Sequence, residues 1–271
     1  MVLVLAKKKS QFANFIMKPT PYGLKSLAQI LDASYSEGSN KTQSLTKETF
    51  SPSQLGYGSG ACPRRWVMAF TGAEFEYNYS STSVDNMENG TDRHERIQRN
   101  FHHSNLTLDV EYDLWSEDPP VHGYVDVIIR DLNGYDIVIE IKTTRHEAFV
   151  HRRAKNMGPD YQVLQLLLYL YLLEIDHGLL LYESKNTHEK LLIPIEMTPE
   201  NREKVEVVVE WMRNVYRTFE EGKLPERPFT RRSKECKDCP LMRDCWDNRP
   251  DGDVKIEPMV FTMKDEDDSG T

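Results

Sequence analysis

Between residues 106 and 143 apolar and polar positions alternate in three successive runs, 106–115, 123–131 and 135–143, which predicts three strands, the last two joined around Asn133-Gly134. Ahead of them, residues 85–101 have the charge density of an exposed helix. After them, residues 160–175 are apolar over a helix's length, and 179–183 and 191–196 read as short strands. Thr198-Pro199-Glu200 then opens a long helix, with threonine as N-cap and proline at the first helical position. Strands and helices in this mixed order around a central hairpin predict an α/β fold.

The side chains decide the hairpin's register. A two-residue turn at Asn133-Gly134 would set Val127 beside Glu140 and Val125 beside Lys142, mixing apolar and charged residues on one face. A three-residue loop, Leu132-Asn133-Gly134, with glycine in a left-handed bulge position, shifts the pairing by one. Val125, Val127 and Ile129 then oppose Ile141, Ile139 and Ile137, a β-branched surface suited to a core. The opposite face carries Asp126 across from Glu140, Arg130 across from Asp136, and Lys142 diagonal to Asp126. The second register is the one expected.

Two carboxylates facing each other across a ladder repel unless a cation sits between them. A divalent ion with oxygen ligands, Mg²⁺ or Mn²⁺, meets that need, and Lys142 would then orient the attacking water or stabilise charge developing on a phosphate. The same residues also fit a plain solvent face held by cross-strand ion pairs.

Asp126 followed by Glu140-Ile141-Lys142 resembles the D…(D/E)xK signature of the PD-(D/E)xK nucleases. Gly90-Thr91-Asp92-Arg93-His94 resembles the GxxxH helix of their RecB-like branch, Gly123-Tyr124-Val125-Asp126 its GxxD strand, and Gln165 to Tyr169 its QxxxY helix, all in the matching chain order. The resemblance spans roughly residues 50–248 and includes the lead-in Ser51-Pro52-Ser53-Gln54-Leu55. It implies a central mixed sheet flanked by helices, with His94, Asp126, Glu140 and the Ile141 carbonyl as ligands of Mg²⁺ or Mn²⁺. Lys142 would be catalytic, and Gln165 and Tyr169 would flank the site and touch substrate. Read without it, His94 is a surface helix histidine, and Gln165 and Tyr169, one turn apart, are the polar edge of a core helix. Gln162, on the same helix, lacks a tyrosine four residues on.

Four cysteines lie outside the hairpin, Cys62 and then Cys236-x₂-Cys239-x₅-Cys245. In a protein expected in the cytoplasm this spacing favours metal ligation over disulfides. Zinc sites usually carry two short-spaced pairs, and here there is one; an iron-sulfur cluster accepts the looser arrangement. The pattern, with Cys62-Pro63-Arg64 and Cys239-Pro240, resembles the CRISPR-associated iron-sulfur exonucleases and AddB-type helicase-nucleases. That likeness implies a [4Fe-4S] cluster clasping the two ends of the nuclease region, with Zn²⁺ as the alternative occupant.

The chain has 271 residues, 39% hydrophobic and 28% charged, with a formal net charge of −9. This balance fits one elaborated globular domain and runs against a globally basic nucleic-acid-binding surface. A net five of the negative charges fall after Pro250, which reads as a solvated acidic tail, 249–271. Residues 1–50 form an extension without an assignable role, and 51–248 the nuclease region. Basic residues cluster locally, so DNA contact is expected at Arg145, Arg152, Arg153 and Lys155, with Tyr161 stacking on bases; each arginine equally fits a solvated surface.

No apolar run reaches the ~20 residues of a membrane span, since residues 163–173 are interrupted by Gln165 and two tyrosines. Residues 1–6 are apolar but followed by Lys7–Lys9, the wrong order for a secretory signal, so the expected location is the cytoplasm, or a host's cytoplasm for a phage-encoded protein. The function expected is a metal-dependent DNA exonuclease acting on single-stranded ends, with partners in DNA repair, CRISPR adaptation or phage replication. Two other readings stay open: a non-catalytic DNA-processing adaptor keeping the fold and cluster, and a zinc-stabilised interaction protein.

Overall fold

The computed structural model describes residues 33–34 and 41–263. The reading of residues 1–6 and most of the N-terminal extension therefore lie outside the described residues, as does the end of the acidic tail. In chain order the elements are β1 (Lys41–Leu45), α1 (Pro52–Leu55), α2 (Pro63–Thr71), β2 (Ala73–Tyr77), α3 (Ser81–Phe101), β3 (Thr107–Glu117), β4 (Pro120–Arg130) and β5 (Asp136–Thr144). There follow α4 (His146–Lys155), α5 (Asp160–Leu173), β6 (His177–Ser184), β7 (Lys190–Glu196), α6 (Pro199–Glu220) and α7 (Lys234–Lys237).

Strands β3 to β7 form one sheet in sequential order, antiparallel throughout except for β5 and β6, which run parallel. The crossover that parallel pairing demands carries α4 and α5. The expected α/β fold, a mixed central sheet flanked by helices, is therefore present. One sheet face is covered by α3, whose Ile97 packs with Val127, Ile139, Ile141 and Leu181. The other meets α5 and α6 in the main core, where Val163, Leu167, Val208 and Met212 pack with Val138 and Leu180. Helix α5 is apolar all round because it is covered on all sides; α6 instead buries a stripe, Val205, Val208, Val209, Met212 and Val215. The N-cap reading of α6 holds, with Thr198 accepting from the Asn201 amide at 3.1 Å behind Pro199.

The hairpin has the expected register: Val127 pairs with Ile139, Ile129 with Ile137 and Arg130 with Asp136. Gly134 has φ +89°, and Asp131 locks the loop by accepting from the Asn133 and Tyr135 amides at 2.8 and 2.9 Å. Val125 departs from the expected surface. It packs in the main core, whereas Val127 faces α3. The change of side falls where regular β4–β5 pairing ends, one residue before the pair Asp126 and Glu140 would form.

The solvated-tail expectation needs correction up to Met263. Ile256 and Met259 are buried in the main core, the Met259 amide donates to the Ala61 carbonyl at 2.9 Å, and the Trp211 indole donates to the Glu257 carbonyl. Acidic residues dominate the count there, but apolar ones between them supply the packing surface. Among the described residues no helix is long and apolar enough to cross a membrane.

Candidate active site

At the point where β4 and β5 separate, Asp126 replaces the missing ladder acceptor: its Oδ2 takes the Ile141 N–H at 2.6 Å. Its other oxygen, Oδ1, lies 3.5 Å from His94 Nδ1 on α3. Glu140 is 2% exposed, with Oε1 2.5 Å from Lys142 Nζ and Oε2 buried without a hydrogen-bond partner. Lys142 Nζ also donates to Gln165 Oε1 at 3.1 Å, and Gln165 Nε2 donates to the Tyr169 hydroxyl at 3.3 Å. The glutamine facing the lysine is thus Gln165; Gln162 is engaged elsewhere, by the Tyr182 hydroxyl at 2.6 Å. Close approach favours glycine at 123, since a Cβ there would sit 3.1 Å from the Tyr169 hydroxyl and 3.2 Å from Pro52 Cδ and press both aside by a few tenths of an ångström.

Burial pushes the Glu140 carboxyl up from 4.5 to about 7, and the Asp126 charge adds to the rise. Burial works against the charges on Lys142 and His94, yet the nearby carboxylates hold both above their usual values. Because folding raises the Glu140 carboxyl, the folded chain binds more protons there than the unfolded chain. Metal-free protein should therefore lose stability as pH rises from about 4.5 to about 7, by on the order of 3 kcal/mol from this group. Urea melts in chelator across that range are expected to show the decline, and Glu140→Gln to remove this share of it. Parallel curves for the two proteins would contradict the assignment.

Orphaned Glu140 Oε2, a second carboxylate and an imidazole together suit a hard divalent cation. Among the described residues, however, no three His, Cys, Asp or Glu side chains are gathered round one point as an ion's ligands. Asp126 is turned to a backbone amide and Glu140 to Lys142, so ligation requires these carboxylates to turn.

The residues that set the position of α3 escaped the sequence reading. Glu183, fully buried at the end of β6, accepts from Arg93 at 3.2 Å and in a very short contact from Arg96, with His188 at 3.4 Å and Lys190 at 3.6 Å. Arg93 and Arg96 bracket His94, so this carboxylate fixes the helix that presents the histidine. Glu183→Gln should cost about 1 kcal/mol, since Arg96, His188 and Lys190 stay in reach of solvent and only Arg93 is largely covered. It should also speed amide exchange along α3 relative to α6, and an unchanged α3 exchange rate would contradict the tether.

Of the residues expected to touch DNA, Arg152 and Tyr161 come close to the site. The Arg152 guanidinium donates to Thr144 and lies 4.7 Å over the Tyr182 ring, and the Tyr161 phenol is within electrostatic range of both Arg152 and Lys142. Arg153 turns instead to Glu189, at 3.6 Å, while Arg145 and Lys155 sit exposed at the two ends of α4.

Cys62, Cys236, Cys239 and Cys245 are free thiols lining one cavity between α2 and the C-terminal segment. Arg64 Nε reaches Cys245 Sγ at 3.2 Å and its other nitrogens donate to the Pro225 and Pro250 carbonyls. Burial raises the Cys62 thiol to about 12, and the three other thiols act in the same direction.

A mixed sheet whose splayed hairpin gathers an aspartate, a glutamate and a lysine beside a helix histidine has the groups needed for phosphodiester hydrolysis. A family model described as the PD-(D/E)XK nuclease superfamily matches residues 86–246, more than half the chain, and the chain belongs to that superfamily. No curated protein matches it. Among solved structures, the crystal structure of SSO0001 is similar at 18% identity and TM-score 0.43, over 81% of this chain and 96% of that one. An alkaline exonuclease from Laribacter hongkongensis (LHK-Exo) is similar at 11% identity and TM-score 0.49, over 71% and 95%. The same exonuclease in complex with dAMP gives 10% and 0.47, over 72% and 93%.

Proposed function

We propose that the protein is a Mg²⁺- or Mn²⁺-dependent deoxyribonuclease acting as an exonuclease on single-stranded ends, with Asp126, Glu140 and Lys142 at its centre. The observation that carries this reading is the buried, unpartnered oxygen of Glu140, whose carboxyl is within electrostatic range of Asp126, inside a nuclease-superfamily fold. His94, Asp126, Glu140 and the Ile141 carbonyl would hold the divalent ion, which when bound neutralises charge on the phosphate and lowers the pKa of water. Lys142, steered by Glu140 and Gln165, sits where its ammonium can orient the attacking water or stabilise charge developing on a phosphate oxygen. Tyr169 holds Gln165 in place, and Arg152 and Tyr161 guide the strand.

The four cysteines are assigned to a [4Fe-4S] cluster that clasps residues near 62 to those near 245, as in the CRISPR-associated iron-sulfur type the motifs resemble. The thiols ring one cavity, with the buried Arg64 guanidinium against them, and this supports a net-negative metal group. The cytoplasm is the proposed location, with DNA-repair, CRISPR-adaptation or phage-replication proteins as partners.

The test uses linear and circularised single strands alongside linear duplex, all labelled, with Mn²⁺. Release of mononucleotides or short fragments from linear single strands with circles left intact is expected. Cutting of circles at the same rate would replace the exonuclease reading with an endonuclease one, and no cleavage at all would favour the adaptor.

A further inference from the structure

Beside the thiol cavity lies a second groove, about 610 Å³, that the proposed chemistry does not use. Its walls carry Tyr57, Tyr77 and Tyr79 together with Arg65, Lys237 and Arg243. Tyr57 and Tyr79 are 64% and 37% exposed, and the Tyr77 and Tyr79 rings are stacked with centroids 5.7 Å apart. The facing acids are Glu76, which Arg243 engages at 2.9 Å, and Asp238. Arg65 forms the wall shared with the thiol cavity. It is 8% exposed, one nitrogen donates to Gln54, and its Nε and Nη1 have no hydrogen-bond partner. Its charge is felt by the Cys62 and Cys239 thiols, so the anion it would meet is the group proposed for that cavity, and among the described residues the groove's own free cation is Lys237.

Tyr57, on the groove wall, has its ring 5.0 Å from that of Tyr161. Tyr161 opens the helix that carries Gln165, the partner of Lys142. Aromatic faces interleaved with cations are what single-stranded nucleic acid requires, because unpaired bases offer a face to stack and duplex withholds it.

We propose that this groove holds the single-stranded stretch adjoining the scissile bond, with bases stacked on Tyr57 and the Tyr77–Tyr79 pair and phosphates facing Lys237. It deepens the nuclease reading and rests on it for the identity of the substrate. The experiment measures binding of a labelled oligothymidylate and of a blunt hairpin duplex to full-length protein by fluorescence anisotropy, in chelator so that nothing is cut. Tyr57→Ala with Tyr79→Ala should weaken the single strand at least about tenfold and the blunt duplex less than about twofold. Tyr57→Phe with Tyr79→Phe, which keeps the rings, should retain single-strand affinity. Lys237→Ala should weaken binding and flatten its salt dependence. Unchanged single-strand affinity in the alanine pair, or equal loss on both ligands, would overturn the proposal. Binding is read without metal, so failure of the wild type to cleave DNA would sink the nuclease reading and remain distinguishable from failure here.

Discussion

Lys142→Ala is expected to slow Mn²⁺-dependent DNA cleavage by roughly 10² to 10³-fold, the usual cost of removing one preorganised donor from a transition state. The lysine is held from two sides, by Glu140 at 2.5 Å and Gln165 at 3.1 Å, so its ammonium is aimed before substrate arrives. Removing it also strips Glu140 Oε1 of its partner while Oε2 already has none, which should destabilise the metal-free protein and make added Mn²⁺ more stabilising than in the wild type. Lys142→Arg should rescue little, because a planar fork does not replace a point charge between a carboxylate and an amide oxygen. Steady-state cleavage of a labelled strand and thermal melts with and without Mn²⁺ check both halves. Cleavage within twofold of wild type would remove Lys142 from the chemistry.

Cys239→Ala should abolish the brown absorbance near 400 nm that an iron-sulfur chromophore gives and unfold the region around the thiols. Cys239 lines one cavity with Cys62, Cys236 and Cys245, so a bound group closes a chain loop from residue 62 to residue 245. Loss of that closure, together with Arg64 facing an emptied thiol cavity, should cost several kcal/mol. A fully folded, colourless variant, measured by absorbance and circular dichroism together, would contradict the clasp.

The hairpin was legible because only one loop length separates its β-branched residues from its charged ones, and the observed pairing of Val127 with Ile139 follows that choice. The break at Asp126 was not, since a side chain standing in for a ladder acceptor leaves no trace in alternation. Helix α4 was missed because its apolar positions, Phe149 and Val150, are too few to show a period among the basic residues. Helix α2 was hidden for the opposite reason: Arg64 and Arg65 are both buried, so its pattern reads as polar where it is core. Glu183 could not be linked to Arg93 and Arg96 from sequence, as about 90 residues separate partners that meet only once β6 lies alongside β5. His94 beside Asp126 was reached through the motif, and the structure brings the two within 3.5 Å.

Cleavage of an end-labelled single strand by wild type and by Asp126→Asn, each in chelator and in Mn²⁺, bears most directly on the paired carboxylates. Asparagine keeps an oxygen for the Ile141 amide and removes only the charge. The expected result is Mn²⁺-dependent cleavage by the wild type and a loss of at least about 10³-fold in the variant. Equal rates for the two proteins, or wild-type cleavage that persists in chelator, would contradict it.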